Sequence, residues 1–204
     1  MFAAALCLLS LGRLSVSAPA PAGSPRAPRR LRVEYLEAPI TIDTPQPRFS
    51  YALLHSGRSA TQASFRIVVT RSPAAEVVWD SGQVMSNRTL NIPYGWRLPG
   101  APATPVTPLV SDADYGWSVK WTDGSGAASP AAAARFSTAI LAVAGTGSSA
   151  GSPDWRGAGW VSSAVNGSLR RYRSEFVIAG RPVRGRLYVS GLGYAKTRLN
   201  GELT

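Results

Sequence analysis

Acid–base, nucleophilic or metal chemistry would have to come from very few residues in this chain. There is one cysteine, Cys7, inside an N-terminal apolar run, and one histidine, His55, in LLHSGRSA, which reads as a solvated loop. A disulfide framework and a thiolate metal cluster are therefore excluded, and no His-rich or Cys-rich group has metal-ligand spacing. Carboxylates working as acid and base would have to face each other across a substrate. Asp112 and Asp114 lie in the bend before Tyr115. Asp123 is in a turn, where Asp is favoured because it bonds its own backbone. Glu34 and Glu37 bracket the end of the first strand. Surface or turn placement explains each of them, so no catalytic residue is assigned. Gly191-Leu192-Gly193 is not followed by a helix and is not a phosphate loop.

The elements that would position these side chains are strands. In LVSDADYGWSVKWTDGSGAAS, residues 109–129, the side chains of Tyr115, Trp117, Val119 and Trp121 fall at every second position, with Gly116, Ser118, Lys120 and Thr122 between them. That period of two marks a half-buried strand. Asp123-Gly124-Ser125-Gly126 ends it with turn chemistry. Leu109 precedes Tyr115 by six residues across a polar bend, a spacing similar to the tyrosine corner of fibronectin type III sandwiches. Leu109, Tyr115, Trp117 and Trp121 are thus expected to be structural.

Six more short strands are expected around it: Leu31–Leu36, Arg48–Leu53, Ala63–Thr70, Val77–Gly82, Leu90–Tyr94 (an edge strand, because of Pro93) and Arg135–Thr138. No stretch shows a helical stripe. The fold class is all-β, a fibronectin-III/immunoglobulin-like β-sandwich over residues 31–140. Residues 141–151, rich in Gly, Ser and Ala, form a linker. Beyond it, Arg171–Ile178, Val183–Ser190 and Tyr194–Leu199 read as strands, and Asn200-Gly201 is a two-residue hairpin signal. Residues 152–204 are expected to be the start of a second β-sandwich module, poorly ordered by itself.

At the N-terminus, an apolar run from Phe2 to Leu11 is followed by small residues ending at Val16-Ser17-Ala18. Residues 1–18 read as a signal peptide, with an organelle transit peptide as the rival, and 19–30 as an unfolded leader. Secretion follows, with an organelle lumen as the alternative and no membrane span after signal removal. Two sequons, at Asn87 and Asn166, would then be glycan acceptors. The formal net charge of +11 invites a polyanionic partner. However, only Lys120 and Lys196 are lysines, the arginines outside the N-terminal leader are scattered apart from Arg170, Arg171 and Arg173, and such a bias fits GC-rich coding. No nucleic-acid partner is expected.

Six segments in order, LRVEYLEAPITIDTPQPRFSY, VVWDSGQVMSN, YGWSVKWTDGSGAAS, DWRGAGWVSS, RRYRSEFVI and RGRLYVSGLGYAKTRLNG, resemble the N-terminal region of bacterial-type α-L-rhamnosidases. The resemblance covers residues 31–204. It implies a fibronectin-like sandwich, then a carbohydrate-binding-like β-sandwich, with inverting hydrolysis of rhamnose-containing glycans performed by carboxylates of a helical toroid further on, and no cofactor. The toroid has no counterpart in these residues, so no catalytic position carries over. The Pro-rich loop Arg97–Pro108 looks longer than the family's usual connection. Trp155, Trp160 and Tyr194 are weak candidates for stacking on a sugar face, although core packing is the commoner fate of such rings. A free-standing fibronectin-like adhesion or glycan-binding protein is the alternative reading.

Overall fold

A computed structural model of the chain describes residues 23–100, 105–141, 155, 157–162, 170–182 and 184–203. The signal-peptide and Asn166 expectations, and all of the linker except Leu141, lie outside these residues. Among them the structure is all-β.

Seven strands make the sandwich: β1 (Pro25–Val33), β2 (Arg48–His55), β3 (Gln62–Arg71), β4 (Glu76–Asp80), β5 (Ile92–Pro93), β6 (Asp114–Asp123) and β7 (Ala132–Ser137). One sheet has the order β1-β2-β5 and the other β4-β3-β6-β7, with every pair antiparallel. The chain crosses between sheets after β2, β4 and β5, as a Greek-key sandwich requires.

Alternation decides what is buried. Phe65, Ile67 and Val69 of β3 lie opposite Trp121, Val119 and Trp117 of β6, and all six side chains are buried. From the other sheet Phe49 packs between them, its ring centroid 4.8 Å from Trp117, 5.9 Å from Trp79 and 5.9 Å from Phe136. Burying such side chains contributes about 1.5–3 kcal/mol each, so this cross-sheet aromatic contact is the centre of the fold.

The tyrosine corner is present. The Tyr115 hydroxyl accepts the Val110 N–H at 2.9 Å, and Leu109 and Tyr115 are both buried. The same bend is tied from β7's end. Thr138 Oγ1 accepts the Ala113 N–H at 3.0 Å and donates to the Val110 carbonyl at 2.7 Å.

The first strand differs from its sequence reading. Residues 25–30, expected in the unfolded leader, open β1, and the strand stops at Val33, not Leu36. Pro25 and Pro28 fit because β1 is an edge strand, so their missing N–H groups cost no ladder bond on the free side. Register shifts between Arg26 and Arg29 and between Arg29 and Arg32 absorb the irregularity. After Val33 the chain turns through Glu34 and Tyr35 at positive φ, closed by paired backbone bonds between Val33 and Leu36. At the other end Leu141 is buried and its N–H bonds Ser111 Oγ at 2.9 Å. The sandwich therefore runs past both ends of the expected 31–140.

The loop after β5 is held against β4. The Tyr94 hydroxyl donates to the Thr107 carbonyl at 2.7 Å, and the Thr107 N–H donates to the Val78 carbonyl at 2.8 Å.

Beyond the sandwich, β8 (Arg198–Leu199) and β9 (Glu202–Leu203) pair across Asn200 and Gly201. Both turn residues have positive φ, 51° and 87°, as a type I′ hairpin turn demands. The strands expected at Arg171–Ile178 and Val183–Ser190 have no ladder partners among the described residues. Their alternation is intact, but Tyr172, Phe176, Ile178, Leu187 and Val189 remain exposed. A strand gains little until a neighbour takes up its backbone groups and one face.

Candidate functional site

The carboxylates are the first candidates for chemistry, and each has a structural partner. Glu34, set at the positive-φ turn after β1, forms a two-pronged ion pair with Arg48 at the start of β2. Arg48 Nη2 lies 2.6 Å from Oε2, and the Arg48 backbone N–H donates to Oε1 at 2.7 Å. That side-chain bond, above all, holds Glu34 below the usual carboxylate range despite partial burial. Glu37 sits 3.4 Å from Arg32 at the surface. Asp80, closing β4, pairs with Arg66 of β3, which is the main reason its carboxyl is also held low.

Asp123 closes β6 and builds the turn that follows. Its Oδ1 accepts from Ser125 Oγ at 2.6 Å, Ser125 N at 2.9 Å and Ala127 N at 3.0 Å. The Ser125 hydroxyl is the leading cause of its lowered pKa. Its other oxygen lies 3.3 Å from His55 Nε2.

His55 is therefore not a solvated loop residue. It ends β2, its side chain is 10% exposed, and its ring centroid lies 6.0 Å from that of Trp121. Its Nδ1 accepts the Gly57 N–H at 2.9 Å, so the proton facing Asp123 is on Nε2. The pair staples β2 to β6, one strand from each sheet. Among the described residues no serine or cysteine nucleophile bonds the ring.

Asp112 and Asp114 flank the tyrosine corner. Arg186 reaches both, with Nη1 3.1 Å from Asp112 Oδ1 and Nη2 bonded to Asp114 Oδ1. Arg184 pairs with Asp114, and the Tyr188 hydroxyl donates to Asp112 Oδ1 at 2.9 Å. Burial works against the charge of Asp114. The Ser137 hydroxyl and the two guanidinium groups outweigh it and hold the carboxyl below its ordinary range. Sequence reasoning missed this cluster. The available signal was the alternation Arg184-x-Arg186-x-Tyr188, which puts three polar side chains on one face of an extended segment.

The aromatic candidates are not brought together. Trp155 is 37% exposed, Trp160 70% and Tyr194 86%, and no ring contact joins them among the described residues. The core packing expected for them is absent there. Asn87, the described sequon, is exposed in the segment between β4 and β5. A hollow of about 420 Å³ is an open trough on the outer face of the four-stranded sheet. Its floor is small residues, Thr70, Gly116, Ser118, Ala133 and Ala134, and Arg135 is on its wall. Among the described residues no group of three His, Cys, Asp or Glu is placed to hold a metal, and no helix is long and apolar enough to cross a membrane.

An α-L-rhamnosidase of Streptomyces avermitilis is 33% identical over 100 residues, which is 48% of this chain and 9% of that protein. Among solved structures, the α-L-rhamnosidase from Dictyoglumus thermophilum aligns over 57% of this chain and 13% of its own, at 25% identity and a TM-score of 0.49. The Streptomyces avermitilis α-L-rhamnosidase complexed with L-rhamnose aligns over 58% and 11%, at 29% identity and a TM-score of 0.46. The chain thus spans only 9% to 13% of the length of these relatives. Residues 28–142, the sandwich from within β1 to just past Leu141, match the family model of the Rha78A-like, N-terminal immunoglobulin domain, and the chain belongs to that family.

Proposed function

We propose that this chain is a non-catalytic N-terminal portion of an α-L-rhamnosidase-like glycoside hydrolase. Its role there is structural or carbohydrate-presenting, and terminal α-L-rhamnose on glycosides is the substrate of the longer protein. The observation that carries the reading is the position of the match: residues 28–142 correspond to a domain described as N-terminal, in relatives many times longer than this chain. The side chains support it. Inverting hydrolysis needs two carboxyl groups about 6.5–9.5 Å apart with room for a water between them. Here Asp112 and Asp114 share one guanidinium, Glu34 and Asp80 are each paired with an arginine, and Asp123 is occupied by its own turn. Secretion, with residues 1–18 removed as a signal peptide and Asn87 available for glycosylation, belongs to the same proposal.

The test is direct. The purified chain is expected to release no product from an aryl α-L-rhamnoside, and transcript sequence downstream of Thr204 is expected to encode a helical region bearing paired acidic residues. Turnover that scales with purified chain would overturn the non-catalytic reading. A stop codon directly after Thr204 would overturn the hydrolase origin.

The exposure of Trp160 and Tyr194 favours a second reading, a free-standing glycan-binding protein. Saturable quenching of tryptophan fluorescence by rhamnose, lost in Trp160→Ala, would support it.

A further inference from the structure

We infer that the bend carrying Asp112 and Asp114 is a docking site for the segment Arg184–Tyr188, an ionic latch that seats the module after the linker against the sandwich. The inference concerns how the two parts of the chain are joined, and it holds whether or not the longer protein is a hydrolase.

Three observations carry it. The first is complementarity: two carboxylates face two guanidinium groups and a phenol, with Arg186 bridging both acids. The second is that the receiving side is built. Ser137 Oγ donates to Asp114 Oδ1 from β7 at 2.5 Å, and Arg186 Nη1 lies 3.4 Å from the Thr138 carbonyl, so the guanidinium also touches backbone of the sandwich. Arg186 is the more sheltered of the two arginines, its side chain 17% exposed against 48% for Arg184. A guanidinium fork suits two acceptors in one plane, which an ammonium does not.

The third is the two-faced character of the segment. Arg184, Arg186 and Tyr188 turn toward the sandwich, while Leu187 and Val189 fall on the other face and are 60% and 52% exposed. In a strand packed on a sandwich for its apolar area the faces would be reversed. The polar face is spent on docking and the apolar face is left for the module's own packing. The bend is itself pinned to the sandwich by Tyr115 and Thr138, so a module latched to it inherits its orientation.

The experiment is small-angle scattering on the full chain, with the near-UV signal of the buried Trp117 and Trp121 as a check on the sandwich. Two variants cut the latch from opposite sides, Asp112→Asn with Asp114→Asn, and Arg184→Gln with Arg186→Gln. Each is expected to raise the radius of gyration by the same amount. Raising salt from 0.05 to 1 M is expected to do so in the wild type, since about 1 M salt shortens the screening length to about 3 Å. Reversing both sides together, Asp112→Arg and Asp114→Arg with Arg184→Asp and Arg186→Asp, is expected to restore the compact form. An unchanged radius in the arginine variant overturns the latch. That variant lies outside the sandwich and decides the matter alone if the aspartate variant fails to fold.

Discussion

The indole Nε1 of Trp121 donates to the carbonyl oxygen of Arg26 at 3.0 Å, joining the C-terminal part of β6 to a residue ninety-five positions earlier. Composition alone places Arg26 in an unstructured Pro-, Ala- and Arg-rich leader. The bond makes it part of the domain. A chain starting at Leu31 loses this bond and the buried Pro25 and Pro28, whereas one starting at Gly23 keeps them. The shorter chain is expected to be less stable by at least about 1 kcal/mol. In a thermal melt it should unfold about 4 °C or more lower, and equal melting temperatures would show that β1 before Leu31 contributes nothing.

The four tryptophans of the sandwich are not equivalent. Trp121 has a partner for its indole N–H, while those of Trp117 and Trp79 have none among the described residues. Trp→Phe at either 117 or 121 removes similar volume from a packed core. At 121 it also removes a hydrogen bond; at 117 it relieves a buried donor without a partner. Trp121→Phe is therefore expected to cost about 1 kcal/mol more than Trp117→Phe, measured as the difference in urea midpoints. The reverse order would mean that indole hydrogen bonding plays no part at these sites.

Tyr115→Phe tests the corner. It leaves the ring in place and strands the Val110 N–H. The expected loss is about 1–3 kcal/mol, with little change in the denaturant slope, because the buried area is nearly conserved. A loss well under that range would show that water replaces the phenol.

Acid should weaken the sandwich in a defined direction. Glu34 and Asp80 have folded-state pKa values lowered chiefly by Arg48 and Arg66. A lowered folded value means that the unfolded chain binds more protons through the window between the two values. The contribution is present above about pH 4.3 for Glu and 3.9 for Asp and is lost as pH falls through the folded values. Unfolding midpoints should therefore drop from pH 6 to pH 3, and drop less in Glu34→Gln. An unchanged pH dependence in that variant would remove Glu34 as a contributor.

Much of the sandwich is legible in the sequence because its signals are local. The period of two from Tyr115 to Trp121 and from Phe65 to Val69 fixes two central strands and the faces they bury. Pro93 marks an edge, and the Leu109–Tyr115 spacing gives the corner. What failed was decided by partners distant in sequence. Pro25 and Pro28 look like breakers until β2 lies on one side of them only. His55 looks solvated until Asp123, sixty-eight residues on, faces it. In the candidate site Asp112 lies in the bend as read, while Asp114 and Asp123 are the first and last residues of β6, and nothing near Asp112 or Asp114 announces Arg184, Arg186 or Tyr188. The alternation of residues 171–178 promised a strand, but alternation specifies a face and cannot supply the neighbour that makes a ladder.

The prolines of the three-stranded sheet have one more consequence. Its two margins are β1 and β5, and both carry proline: Pro25 and Pro28 on one, Pro93 on the other. A strand arriving from another molecule finds missing donors on either side, and on β1 a broken register as well. This sheet is closed to extension without being closed into a barrel. In the longer protein proposed above, a domain edged in this way would be kept from recruiting its neighbours' strands while they are still unpaired.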